Sequence, residues 1–303
     1  MKIDNCFKLI KGKQLGYALY GQEGGMPALY FHGLPGSRRE GELLHQACLG
    51  AGVFLIAPDR PGYGLSEMVD GSRLGNWPNA IAQLLDYLAI DYCYLFAASG
   101  GAPYALACAS VLYDRVIGTG ICCGLGEVAK VELRRDMSAF ARLSFWLAQR
   151  QPGWLQYSYG VVIPAAAKMM PYLSLSLLAW LLGDPDASVL RESKVKIILA
   201  GNLREAFRQG SRGGIADIHA SIEPWPFDLK PIRNIQLWHG VDDSVVPIAH
   251  SHWMLLNIPT ADLQCIEGEG HFSLPVRHAG QIINSLVSAY QLPSDRPAES
   301  VSL

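Results

Sequence analysis

Residues 94–109 read YLFAASGGAPYALACA. The segment opens as an apolar, aromatic run and closes as an alanine-rich run of helical spacing, which predicts a strand passing straight into a helix. One serine, Ser99, stands at the junction, with Ala97, Ala98, Gly100 and Gly101 around it. A sharp strand-to-helix turn brings two backbones close together, and larger side chains two positions either side of the serine would collide. Pro103 suits the first helical turn, where its missing N–H costs nothing. Gly101, Ala105 and Ala109 recur every four residues and keep one helix face thin against a sheet. The elbow alone fits two roles: a serine capping a helix N-terminus, or a serine lifted out as a nucleophile.

The remaining composition narrows the class of protein. Of 303 residues, 50% are hydrophobic and 17% charged, with a formal net charge of −2. That supplies a buried core and argues against disorder. Basic residues are scattered, as in Arg38/Arg39 and Arg134/Arg135, so no nucleic-acid footprint is present. The seven cysteines show no C-x-x-C spacing and several sit in apolar runs, which predicts buried, reduced thiols and a cytoplasmic setting. The N-terminal stretch MKIDNCFK is too polar to supply a signal-peptide apolar region. Residues 161–183 are strongly apolar, but Pro164, Lys168 and Pro171 interrupt them. A span needs about 20 apolar residues, so this segment is expected to be a buried or cap helix and not a transmembrane segment.

Strands are predicted at Gln14–Tyr20, Pro27–His32, Val53–Ala57, Tyr92–Ala97, Arg115–Cys122, Ile235–His239 and Asp262–Ile266. Helices are predicted at Arg39–Gly50, Trp77–Leu88, Gly100–Tyr113, Ile248–Leu256 and Gly280–Tyr290. Near-continuous apolar strands alternating with helices imply a mostly parallel sheet covered on both faces. The first two strands, taken as joined through Gly12 and its neighbours, are expected to form an antiparallel hairpin at one edge. The alternation breaks between about Leu125 and Trp225, where aromatic residues and methionines cluster (Trp146, Trp154, Tyr157, Tyr159, Met169, Met170) without a clear strand. An all-helical insertion is expected there, its cluster forming either an acyl pocket or the insertion's own core. The tail Pro293–Leu303 is expected to fray.

A serine hydroxyl is a poor nucleophile unless a base takes its proton and a third group holds that base in one tautomer. His271 lies in the glycine-rich loop GEGHF, just after the strand Asp262–Ile266. Asp242 and Asp243 lie in the polar loop after Ile235–His239. Serine, aspartate and histidine thus follow different predicted strands, and sites form at the carboxyl ends of parallel strands. A tetrahedral oxyanion needs two backbone N–H donors about 3 Å away. Gly100, after the serine, offers one. The loop His32–Arg38 is the expected source of the second, and since Pro35 has no N–H, Leu34 is the candidate donor.

Taken together these residues resemble the α/β-hydrolase family. The stretch HGLPG at 32–36 resembles its oxyanion loop, and DRPGYGLS at 59–66 resembles its D-x-x-G-x-G-x-S segment. The Ser99 elbow, the G-x-x-D-x-x-V-P match at 240–247 and Gly270-His271 complete the set; Ala97 replaces the usual first glycine. The resemblance covers roughly residues 10–124 and 226–292. It implies an α/β fold with an eight-stranded, mostly parallel sheet and helices on both faces, a core of residues 1–124 and 226–303, and a helical cap insertion of residues 125–225. It implies Ser99 as nucleophile, His271 as base and Asp243 as acid; Asp243 rather than Asp242 stands three after Gly240, as the pattern asks. Leu34 and Phe272 are the substrate-pocket candidates.

The activity implied is hydrolysis of a carboxylic ester or related small-molecule acyl compound through an acyl-enzyme, a reaction that requires no metal and no organic cofactor. Proline-specific aminopeptidases resemble the same core but typically read H-G-G-P-G with tryptophan after the serine. They also need cap carboxylates, for which Glu192, Glu205 and Glu223 are the candidates. Dehalogenases and epoxide hydrolases resemble the fold but need a carboxylate at the elbow. Small-molecule receptors with slow hydrolysis form a further alternative. Asp59, Arg60 and His32 are read as structural props of their loops. His45, His219, His250, His252 and His278 are expected in ordinary core or surface roles.

Overall fold

The computed structural model describes residues 3–69 and 74–291; the tail Pro293–Leu303 lies outside the described residues. The first half of the chain forms β1 (Ile3–Lys8), β2 (Gln14–Gly21), β3 (Met26–Phe31), α1 (His45–Gly50) and β4 (Val53–Pro58). It continues through α2 (Trp77–Tyr87), β5 (Cys93–Ala98), α3 (Ala102–Val111) and β6 (Val116–Cys122). Helices alone follow among the described residues: α4 (Ala139–Arg150), α5 (Pro152–Tyr157), α6 (Ile163–Met169), α7 (Pro171–Leu182), α8 (Asp186–Arg191), α9 (Ser193–Ala206) and α10 (Arg212–Ile222). The sheet resumes with β7 (Ile235–Gly240), α11 (Ala249–Asn257), β8 (Ala261–Ile266), α12 (Ser273–Arg277) and α13 (Ala279–Ala289).

The eight strands form one sheet in the order β1-β2-β4-β3-β5-β6-β7-β8. Pairing is parallel from β4 through β8 and antiparallel for β1–β2 and β2–β4. The expected hairpin is therefore corrected. The turn at Gly12 joins β2 to β1, a strand the apolar pattern misses, and β2 pairs with β4 instead of β3. β1 is a half-exposed edge strand whose sequence IDNCFK carries no apolar run. β3 is unavailable to β2 because β4 and β5 occupy both its edges in parallel.

Side chains alternate across the pleat, and the two faces bury separate cores. Phe54, Ile56, Cys93, Leu95 and Ala97 pack with Trp77, Ile81 and Leu106 on the face covered by α2 and α3. Val53, Leu55, Ala57, Tyr94 and Phe96 pack with Ile282 and Leu286 of α13 on the other. Coverage on both faces explains why β4 and β7 are buried along their whole length.

The elbow after β5 lies at a tight crossing of this arrangement. A Cβ on Gly101 would sit 2.1 Å from the Phe31 carbonyl oxygen of β3. Neither backbone can yield without disturbing the sheet, so only glycine fits. Gly101→Ala is expected to destabilise the fold by about 3 kcal/mol or more, read as a lower urea midpoint. Gly153→Ala, at an open helical position with nothing within 4 Å, is expected to leave the midpoint unchanged or raise it.

Candidate active site

Ala98, the last residue of β5, is extended (φ −123°), and the next residue, Ser99, turns to φ +53°. A non-glycine residue in the left-handed region carries about 1–3 kcal/mol of strain. A short 3-10 turn over Ser99–Gly101 then leads into α3. Ser99 does not cap that helix: its N-cap position is Gly101, with no side-chain cap hydrogen bond. The Ser99 hydroxyl instead meets His271 Nε2 at 3.0 Å.

His271 follows β8 and Asp243 follows β7. His271 Nδ1 lies 2.7 Å from Asp243 Oδ2, while Asp243 Oδ1 accepts the Val245 and Val246 N–H groups at 2.8 Å each. Burial works against ionisation of Asp243, but His271 and these donors outweigh it and hold the carboxyl below its usual range. Burial likewise opposes charging His271, yet the adjacent Asp243 carboxylate overrides it and raises the imidazole well above its ordinary value. With Asp243 ionised, Nδ1 carries the proton and donates to it, leaving Nε2 to accept from Ser99. Asp242 is exposed.

The loop after β3 faces Ser99 from the other side. His32 Nε2 accepts the Arg60 N–H at 3.2 Å, so Nδ1 bears the proton and donates to the Gly33 carbonyl at 2.9 Å. Burial, reinforced by the Arg60 cation, pushes His32 well below the usual imidazole range and keeps it neutral. The Arg60 guanidinium donates to the carbonyls of His32 and Gly33 and pairs with Asp217 of α10 at 2.8 Å. Asp59 ties the same region down by accepting from Arg38 and the Leu65 N–H. The Gly33 N–H is taken by Glu40 at 2.9 Å. The Leu34 N–H makes no hydrogen bond with any described residue, and it faces Gly100, lying 3.3 Å from where a Cβ on that glycine would sit.

A cavity of about 290 Å³ opens over Ser99 and His271. Its walls come from two apolar clusters. Met137, Phe145 and Tyr159 belong to one, and Leu175, Leu199 and Phe272 to the other. Leu34 and Phe272 both lie on the lining. Glu40 is the one carboxylate of the lining among the described residues, and it is fully engaged. Its oxygens accept from the Tyr30 hydroxyl, the Gly33 N–H and Asn202. Glu192, Glu205 and Glu223 do not reach the cavity; Glu205 pairs with the buried Arg38 at 2.7 Å.

The expected aromatic and methionine cluster is also corrected. Only Tyr159 is buried and lines the cavity; Trp146, Trp154, Tyr157, Met169 and Met170 are exposed, serving neither as pocket nor as core. Cavity-wall positions go instead to leucines of α7 and α9, whose inward registers helical folding alone decides. Residues with no motif also enter the site. Asp186 at the start of α8 accepts three consecutive N–H groups, of His271, Phe272 and Ser273, at 2.7–3.0 Å. His239, behind Asp243, donates from Nε2 to the Val246 carbonyl and accepts at Nδ1 from Ser251. No local spacing announces either residue, since their partners lie in other elements.

Cys123, His239 and Asp243 bring ligand-type atoms within 4.8 Å of one another. They do not fit a metal: burial pushes the Cys123 thiol well above its usual range, the His239 Nε2 proton is spoken for, and Asp243 is held by His271. Three of the other histidines are engaged in the fold, His45 with the Gly21 N–H, His250 with the Gly126 N–H and His278 with Glu269, while His219 is half-buried and His252 exposed.

The sequence profile of the alpha/beta hydrolase family matches residues 28–284. The uncharacterized hydrolase YcgS of Bacillus subtilis is 26% identical over 275 residues, 86% of this chain and 89% of that protein. Epoxide Hydrolase A from Mycobacterium thermoresistibile superposes with a TM-score of 0.69 at 16% identity, covering 97% of this chain and 100% of that one. An esterase from Exiguobacterium antarcticum superposes with a TM-score of 0.65 at 16% identity, covering 95% and 99%. At such identities the superpositions speak for the fold, whereas the profile spans most of the sequence and includes the loops that carry Ser99, Asp243 and His271. The chain belongs to the alpha/beta hydrolase family.

Proposed function

We propose that this protein is a serine hydrolase that cleaves carboxylic esters with apolar parts through an acyl-enzyme. The observation that carries the reading is the continuous hydrogen-bonded chain from Ser99 through His271 to Asp243, at 3.0 and 2.7 Å, opening into an apolar cavity. Ser99 Oγ attacks the ester carbonyl while His271 Nε2 takes its proton. The Leu34 and Gly100 N–H groups receive the developing oxyanion. His271 then protonates the departing alcohol and takes a proton from the water that releases the acid. Asp243 keeps His271 in the working tautomer and stabilises the imidazolium. Residues 125–225 act as a cap over the site.

The engaged Glu40 favours esters over substrates with a free α-amino group, because the lining offers no spare carboxylate among the described residues to meet an ammonium. Serine at the elbow also weighs against epoxide chemistry, which on this fold is expected to need a carboxylate in that position. Seven free thiols, five of them buried, accord with a reducing, cytoplasmic setting.

Ser99→Ala is expected to lower kcat/KM on a naphthyl ester by about 10⁴-fold or more and to abolish fluorophosphonate labelling without shifting the urea midpoint downward. Near-wild-type turnover would refute the nucleophile, and rapid labelling with negligible turnover on every ester would favour a receptor instead. Faster release from proline naphthylamide than from naphthyl esters would point to the aminopeptidase.

The base must be neutral to accept a proton, so kcat/KM is expected to rise with pH through the titration of His271. Because Asp243 raises that group, the inflection should lie above the ordinary imidazole value of 6.5. Asp243→Asn should move it to lower pH and cut turnover by about 10⁴-fold. An unmoved pH profile would exclude Asp243 as the partner.

A further inference from the structure

We propose that the outward face of α7 docks on the surface of an anionic phospholipid bilayer. α7 reads PYLSLSLLAWLL and is apolar nearly all round, a composition expected of a helix enclosed on every side. Only half of it is enclosed. Pro171, Leu175 and Ala179 are buried, and Leu175 with Leu178 lines the cavity. The opposite side shows Leu173, Leu177, Trp180 and Leu181 to solvent, Trp180 at 73% and Leu181 at 64% exposure. These positions fall at i, i+4, i+7 and i+8, one continuous stripe. An exposed stripe of this kind marks an interaction surface.

The charges beside the stripe identify what covers it. Lys196 Nζ bonds Ser176 Oγ, an exposed side chain of α7, at 2.7 Å. The Arg204 guanidinium lies 5.7 Å above the Tyr172 ring and donates to the Lys168 carbonyl, and Lys168 itself is exposed. None of these three cations forms an ion pair among the described residues. The sequence has no aspartate or glutamate between Asp136 and Asp184. An apolar, Trp- and Tyr-bearing face rimmed by unpaired cations complements a layer of acyl chains beneath anionic headgroups. A second copy of this chain is a poorer fit, since a two-fold contact would set like charges against each other.

The helix lies on the membrane and does not cross it. Among the described residues no single helix is long and apolar enough to span; Pro152–Met169 and Pro171–Leu182 pass only together and are bent by 105°. If the hydrolase reading above holds, docking sets the cavity wall formed by α7 at the interface, where apolar esters concentrate.

The test is flotation of the full chain with phosphatidylcholine vesicles, with and without phosphatidylglycerol. Binding is expected only with phosphatidylglycerol and should be released at about 1 M salt, where charges are screened beyond about 3 Å. Lys168→Gln and Lys196→Gln should each lower partitioning about fivefold. Leu177→Glu with Trp180→Glu should abolish it while hydrolysis of a water-soluble short ester is unchanged, because neither side chain lines the cavity. Ser99→Ala should float as the wild type does, so that flotation without any esterase activity would remove the hydrolase reading and keep the docking. No flotation, equal flotation with neutral vesicles, or a dimer in light scattering that the double variant splits would each overturn the proposal.

Discussion

A left-handed backbone at Ser99, wedged between β3 and α3, is the constraint on which the site depends. Strain at a non-glycine residue persists only when its surroundings over-determine it. Here they do: Gly101 abuts the Phe31 carbonyl, Gly100 faces Leu34, and the Ser99 carbonyl receives the Leu125 N–H at 3.0 Å. Releasing the turn would carry the hydroxyl away from His271. The smallness of residues around Ser99 is therefore a packing requirement that also fixes a chemical distance.

Buried charge supplies the second level of order. Arg60 ties the carbonyls of the loop after β3 to Asp217 of α10, and Arg38 ties Asp59 of the core to Glu205 of α9. Asn202 of α9 reaches Ser37 and Glu40, while Asp186 of α8 holds the loop of His271. Each link runs from the helical segment to a loop that borders Ser99. Breaking one partner of a buried pair leaves an uncompensated charge, which costs about 3–5 kcal/mol. The helices between β6 and β7 are thus wired to the site's loops by groups that cannot be removed singly without loss.

The helical segment has two different surfaces. Its inner side joins apolar clusters that wall the cavity, and its outer side carries the exposed aromatic, leucine and methionine side chains. α7 belongs to both. Its all-round apolar sequence makes sense when each side has an apolar neighbour, cavity on one side and lipid on the other.

Much of this was legible in the primary structure. The alternation of apolar strands and helices follows from the periodicities of 2 and 3.6 residues, and it placed all but one strand; β1 escaped because a half-exposed edge strand carries no apolar run. The Ser99 elbow was legible because its steric demands are local and fall on adjacent residues. Long-range geometry was not. The preference for Asp243 over Asp242 rests on its place three after Gly240, but that Asp186 seats three N–H groups of a distant loop and that Asn202 completes the engagement of Glu40 depend on contacts between elements far apart in the chain. The aromatic and methionine cluster shows the same boundary. Composition marks those side chains as apolar, but which of them face the cavity and which face outward is decided by how the helices pack, because a helix with apolar residues on every side has no periodicity to reveal its inner face.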